Sequence, residues 1–174
     1  MNYKTLQQFV GDKAIEVISE TQVRVEGVTY TRHSNGGGFV ASTASVSDTA
    51  FVDKNAIVCD NARVCGKARV HGKARVYGNA RVSGDAWVRD NAQVHGNAWV
   101  HGNALVHGKA RVFGDAQVHG NALVHVKARV YEDAQVHDNA QVYGKARVFG
   151  NALVHGNAWV HGNALVHGNA RVTS

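Results

Sequence analysis

Proline is absent from this 174-residue chain, methionine occurs once, and aromatic residues make up only 7%. A globular core normally mixes large side chains of several shapes, and this composition cannot build one. Its 44% apolar content is dominated by valine and alanine, which implies a thin, repetitive interior. Long apolar runs are missing too. No stretch approaches the ~20 residues of a membrane span, and the opening MNYKTLQQFVGDK lacks the continuous apolar centre of a signal peptide. Cys59 and Cys65 are the only cysteines, and free thiols fit a reducing compartment. A cytoplasmic protein with no membrane partner is expected. Charge of one sign is in modest excess. Residues 1–38 carry four basic and four acidic side chains, so the net +6 falls on the rest. That permits an anionic partner without requiring one.

What is present is a single register. From Val40 to Val172 a valine falls at every sixth position, twenty-three in all, and from Ala44 to Ala170 an alanine stands two residues before each. The unit reads Ala-x-Val-x-Gly-Asn, as in NAWVHG and KARVFG. Alternation over Ala-x-Val-x places Ala and Val on one face of a short strand. The Gly-Asn, Gly-Lys, Gly-Asp and Asp-Asn pairs tolerate the left-handed backbone that a sharp corner needs. Four strand residues and a two-residue corner make one side of a polygon, and three sides close most simply into a triangle of 18 residues. KARVY or KARVF recurs at 73–77, 109–113, 127–131 and 145–149, separated by 36, 18 and 18 residues. A helix fails, because six is no multiple of 3.6 and glycine would break every second turn. Cys59 and Cys65, one repeat apart, fall on different sides of one coil and cannot pair.

The expected fold is all-β: a triangular parallel β-helix over residues 39–174, of about seven coils, with a small N-terminal β cap over 1–38. In that cap TQVRVEGVTYTRH at 21–33 reads as one or two strands, and Asn35 to Gly38 as a flexible link. The chain stops at Val172-Thr173-Ser174 without a cap, so the last coil is expected to be covered by another copy or a partner.

An aliphatic residue followed four positions later by a small one, as in Val94 and Ala98, resembles the hexapeptide-repeat superfamily. The likeness covers about three-quarters of the chain. It implies a left-handed coil and a homotrimer, since periodicity alone does not set the hand. SNGGGFVASTASVSD at 34–48 also resembles the start of the helix in hexapeptide acyltransferases of bacteria and their prophages. The resemblance implies a coenzyme A thioester as acyl donor and a His as general base.

Residues flanking each Val must point outward and form columns on three faces. The first face carries Lys109, Lys127 and Lys145 at its leading corner, Arg111, Arg129 and Arg147 before the Val, and Phe113, Tyr131 and Phe149 after it. Stacked like charges repel, so the column suits an anionic, ring-bearing ligand such as a nucleotide or single-stranded nucleic acid. Packing against a neighbour's acidic corner is the alternative, for which Asp115, Glu132 and Asp133 on the opposite edge could serve. Plain duplication of a KARV unit would also produce the column. The second face stacks His101, His119, His137 and His155. A straight ladder offers a metal two imidazoles at best, so no metal site is expected. The third face holds Trp87, Leu105, Leu123 and Trp159 in a row, an apolar patch expected to form the subunit contact.

No loop interrupts a corner to build a catalytic pocket. His125 is the least ordinary histidine, because Val126 replaces the corner glycine and Glu132-Asp133 follow. The leading expectation is a non-catalytic oligomeric scaffold without cofactor, binding a macromolecular or anionic partner through flat faces. A prophage-borne inhibitor or sequestering protein would belong to this class. The alternative is a coenzyme A-dependent acyltransferase using His125.

Overall fold

The computed structural model describes residues 3–174. Helix α1 (Lys4–Val10) is followed by strands β1 (Glu16–Val17), β2 (Gln22–Val25) and β3 (Val28–Arg32), paired antiparallel. Strand β4 (Phe39–Ala41) enters the repeats, and 22 two-residue strands follow, β5 (Ser45–Val46) to β26 (Arg171–Val172). Each repeat strand pairs in parallel with the one 18 residues on, as Arg75 with Gln93 and Gln93 with Arg111. Every third strand therefore shares a sheet. The three sheets have eleven, eight and seven strands, and they form the first, second and third faces of a triangular β-solenoid of about seven coils.

The strands are shorter than the four residues that alternation suggests, because Ala and the residue after Val already bend toward the corners. Those residues still join the ladder: Arg75 N–H donates to Ala92 O and Tyr77 N–H to Val94 O, both at 3.0 Å. Inside, every Ala and Val of the register from Ala50 to Val160 is buried. Beyond them Ala164 and Ala170 are exposed and Val166 and Val172 half-buried.

The corners explain the glycines. Gly96 has φ 69°, and a Cβ there would come within 2.8 Å of Gly114 N one coil on. Four corners carry acids instead, at φ 56–64°. In each the carboxylate accepts the N–H of the glycine one coil on: Asp60 from Gly78, Asp90 from Gly108, Glu132 from Gly150 and Asp138 from Gly156, at 2.8–3.1 Å. The acid thus offsets its strained backbone with a charge-assisted bond. Val126, at φ 64° with a β-branched hydrocarbon side chain, has no such return.

The N-terminal segment differs from the expectation in two respects. A helix precedes the strands, and it lies against the outside of the first face. Leu6 is fully buried with Phe39, Ala41, Ile57 and Cys59, and Phe9 packs near Tyr77. The segment from Asn35 to Gly38 is tied down rather than flexible. Gly38 N–H donates to Val52 O at 2.9 Å, Val52 N–H to Asn35 O at 3.0 Å, and Asn35 Nδ2 to Ala50 O at 3.0 Å. It thereby covers the upper edge of the third sheet.

A left-handed β-branched residue costs roughly 1–3 kcal/mol, partly offset by the greater freedom of glycine in the unfolded chain. Val126→Gly is therefore expected to raise unfolding free energy by about 1 kcal/mol in urea titrations. A destabilised variant would mean that this corner is not left-handed.

Candidate interaction faces

The ladder places the outward residues in straight rows. On the first face Arg111, Arg129 and Arg147 are successive register partners. Their guanidinium groups do not all extend freely: Arg147 donates to the Tyr131 hydroxyl at 2.7 Å and lies 5.6 Å from the Phe149 ring centre, and Arg111 lies 5.9 Å from that of Phe113. Lys109, Lys127 and Lys145 share the leading corner, and each donates its backbone N–H to the corner residue one coil on. Among the described residues none of these six cations is in a salt bridge. Further up, Lys73 and Arg75 border a groove of about 240 Å³ against Thr5 and Gln8 of α1, and Arg75 lies over Phe9.

The rings of this face stack on one another. Tyr77, His95, Phe113, Tyr131, Phe149 and His167 run with centroids 4.7–5.3 Å apart and planes within 22° of parallel. Their π-faces are occupied, and an incoming base meets only ring edges. Stacking of a ligand ring therefore loses its basis, and the cations carry what anion affinity the face has.

On the second face His101, His119, His137 and His155 stack at 4.8–5.3 Å. On the third, His107, His125, Tyr143 and His161 do the same at 4.9–5.3 Å. Burial lowers the pKa of His95, His101, His107, His119 and His125 from the ordinary 6.5. Arg111 adds to the effect at His95, Arg89 and His125 at His107, and His101 and His137 at His119. Asp138 is held low by hydrogen bonds from His137 and from Gly156 N–H. Among the described residues no group of three or more His, Cys, Asp or Glu is placed to hold a metal ion.

His125 gains nothing that would single it out as a base. It sits between the rings of His107 and Tyr143, and it is His107, not His125, that has a carboxylate, Asp90, at 3.6 Å from its Nδ1. Glu132 and Asp133, close in sequence, lie one full side of the triangle away, and Glu132 is bonded to Gly150 N–H. The third-face row is continuous: Trp87 pairs with Leu105, Leu105 with Leu123, Leu123 with Gln141 and Gln141 with Trp159. Trp87 is 39% exposed and Trp159 61%, while the two leucines are half-buried. Cys59 is buried beneath α1, its thiol pushed up to about 12 by burial, and Cys65 is exposed; both are free.

Asparagine ladders at the corners escaped the sequence reading. Asn103, Asn121, Asn139 and Asn157 pass Nδ2–H to Oδ1 bonds from coil to coil at 3.1–3.2 Å. Asn79, Asn97 and Asp115 do so at another corner, at 2.9–3.1 Å. Recurrence of Asn at 18-residue spacing was the available signal.

The family model that matches is the YdcK β solenoid repeat, over residues 74–90, 140–156 and 146–162. Together with the stacked coils this decides the kind of molecule. The chain is a repeat β-solenoid. The matched stretches cover a minor part of it and concern the repeat itself, not a chemistry. No curated protein matches the chain. Among the described residues, no helix is long and apolar enough to cross a membrane.

The lowered imidazole pKa values have a definite sign. Below pH ~6.5 the unfolded chain takes up protons before the folded one does, so the histidines' contribution to stability is full above that pH and is lost as pH falls through it. Asp138 acts in the same direction, in a separate window below about pH 4. Melting temperature should drop by several degrees between pH 7.5 and 5, and His101→Gln/His119→Gln should flatten the profile. A flat wild-type profile would contradict the stacked, half-buried imidazoles.

Proposed function

We propose that this chain is a non-catalytic oligomeric scaffold that binds an anionic macromolecular partner along its first face and contacts another chain through its third. The supporting observation is the unbroken ladder. Uninterrupted corners leave flat faces of repeated side chains with no inserted loop to close over an acyl donor, and the imidazoles that do meet a carboxylate, His71 with Asp53, His107 with Asp90 and His137 with Asp138, stand in open rows. General-base catalysis needs a positioned acid–base pair beside the reacting atom, and His125 lacks an acidic orienter. The cations that remain unneutralised on the first face, repeated coil after coil, favour a polyanion read by charge rather than by base identity.

A fluorescein-labelled single-stranded oligonucleotide serves as the probe. Wild type should bind it with a log–log salt slope that Arg111→Gln/Arg129→Gln/Arg147→Gln lowers by about 2–3, with affinity down at least tenfold. Unchanged, salt-insensitive binding would discard the anionic face. A rise in melting temperature with acetyl-coenzyme A, abolished by His125→Ala, would instead favour an acyltransferase.

A further inference from the structure

Below Phe51 and Arg69, the third-face row is nearly symmetric about Leu123: it reads Trp87, Leu105, Leu123, Gln141, Trp159, one residue per coil. Bulky aromatics stand two coils above and two coils below Leu123. In the Leu123 coil stands Val126, the β-branched residue at φ 64°, with 47% of its surface exposed. The fold keeps a strained, exposed hydrocarbon there with no compensating side-chain bond, where the other left-handed corners of the coil carry glycine or a bonded acid.

We propose that the partner of this face is a second copy of the chain, packed antiparallel about a two-fold axis that passes through the Leu123 coil. The proposal rests on the reading of the third face as a contact with another chain. Two-fold pairing makes each patch its own complement. The antiparallel operator lays Trp87 of one copy on Trp159 of the other and Leu123 on Leu123, with Val126 beside the axis. A parallel two-fold running along the row would instead lay Arg69 on Arg69 and Gln141 on Gln141, and one displaced toward the next column would set Trp and Leu against Arg89, His107, His125, Tyr143 and His161. The first face cannot offer an equivalent surface, because α1 stands on its upper coils. The third face carries no such obstruction, and the projecting N-terminal coils simply extend past the partner. One cost is electrostatic: Lys109, Lys127 and Lys145 of the two copies share a rim. Added salt screens that repulsion and so tightens the pair. Polyanion binding on the first face responds in the opposite sense.

The test begins with the mass of wild type by light scattering. The account requires two copies, with a dissociation constant that falls as NaCl is raised; a monomer or a trimer overturns it. Register is then read by cross-linking in a Cys65→Ser background, with a bismaleimide spanning ~10 Å, the separation of packed sheets. A mixture of Trp87→Cys and Trp159→Cys copies should cross-link at least tenfold faster than either variant alone. Self-linking of Trp87→Cys alone means a parallel pair and overturns the operator. Leu123→Arg should yield a monomer with an unchanged circular dichroism spectrum, and a Leu123→Arg dimer also overturns the proposal. A monomer that still binds the oligonucleotide through its arginines would remove this pairing and leave the anionic face standing. A dimer without oligonucleotide binding would do the reverse.

Discussion

The constraint on which the rest depends is the parallel ladder that joins each residue to the one 18 positions on. Because the valine and alanine interior repeats every six residues, each coil presents the same inner outline to the next, and backbone donors meet acceptors at 2.8–3.2 Å along most of its length. Small side chains are what make this closure work. A leucine or phenylalanine at an inner position would push the three sheets apart, and the corners could no longer stack. The thin core in turn leaves no interior volume for a ligand. Binding therefore falls to the surface, where the ladder sets the rows.

Corners carry more of the stability than their composition suggests. Glycine fits because its φ is positive and because a Cβ would crowd the next coil. Asp60, Asp90, Glu132 and Asp138 show that an acid is accepted where it can return a hydrogen bond to the glycine N–H one coil away. Asparagine columns add a second string of bonds outside the backbone ladder. Val126 alone among these positions has neither, which is why it draws attention as a surface feature rather than as part of the frame.

Much of this was legible in the residues themselves. Three-sided closure, the inward Val and Ala, the separation of Cys59 from Cys65 and the membership of each surface column all follow from one period. The hand of the coil does not, since a six-residue repeat reads the same in either hand. Helix α1 was missed because KTLQQFV is short and owes its burial to Phe39 and Ile57, residues far off in sequence. The link at 35–38 looked loose because glycines mark freedom in a sequence, whereas here they let the backbone pass close to Val52. His125 drew interest from Glu132 and Asp133 through nearness along the chain. In a triangular coil seven residues is more than one whole side, and nearness in sequence becomes separation in space. The aromatic column was placed correctly, but its rings stack upon one another, which periodicity does not reveal.

A surface made of parallel rows suits recognition by repetition: cations on one face, imidazoles on the next, an apolar row on the third. Which rows meet which partners depends wholly on the coil taking 18 residues. Oxidative cross-linking measures that directly. With Cys59→Ala and Cys65→Ser removing the native thiols, Gln117→Cys/Gln135→Cys places two thiols on register partners of the second face, within the Cα separation a disulfide accepts. The account predicts rapid intramolecular closure for that pair and none for Gln117→Cys/Gln141→Cys, whose residues lie on different faces. Closure of the second pair, or failure of the first, would contradict the three-sided coil.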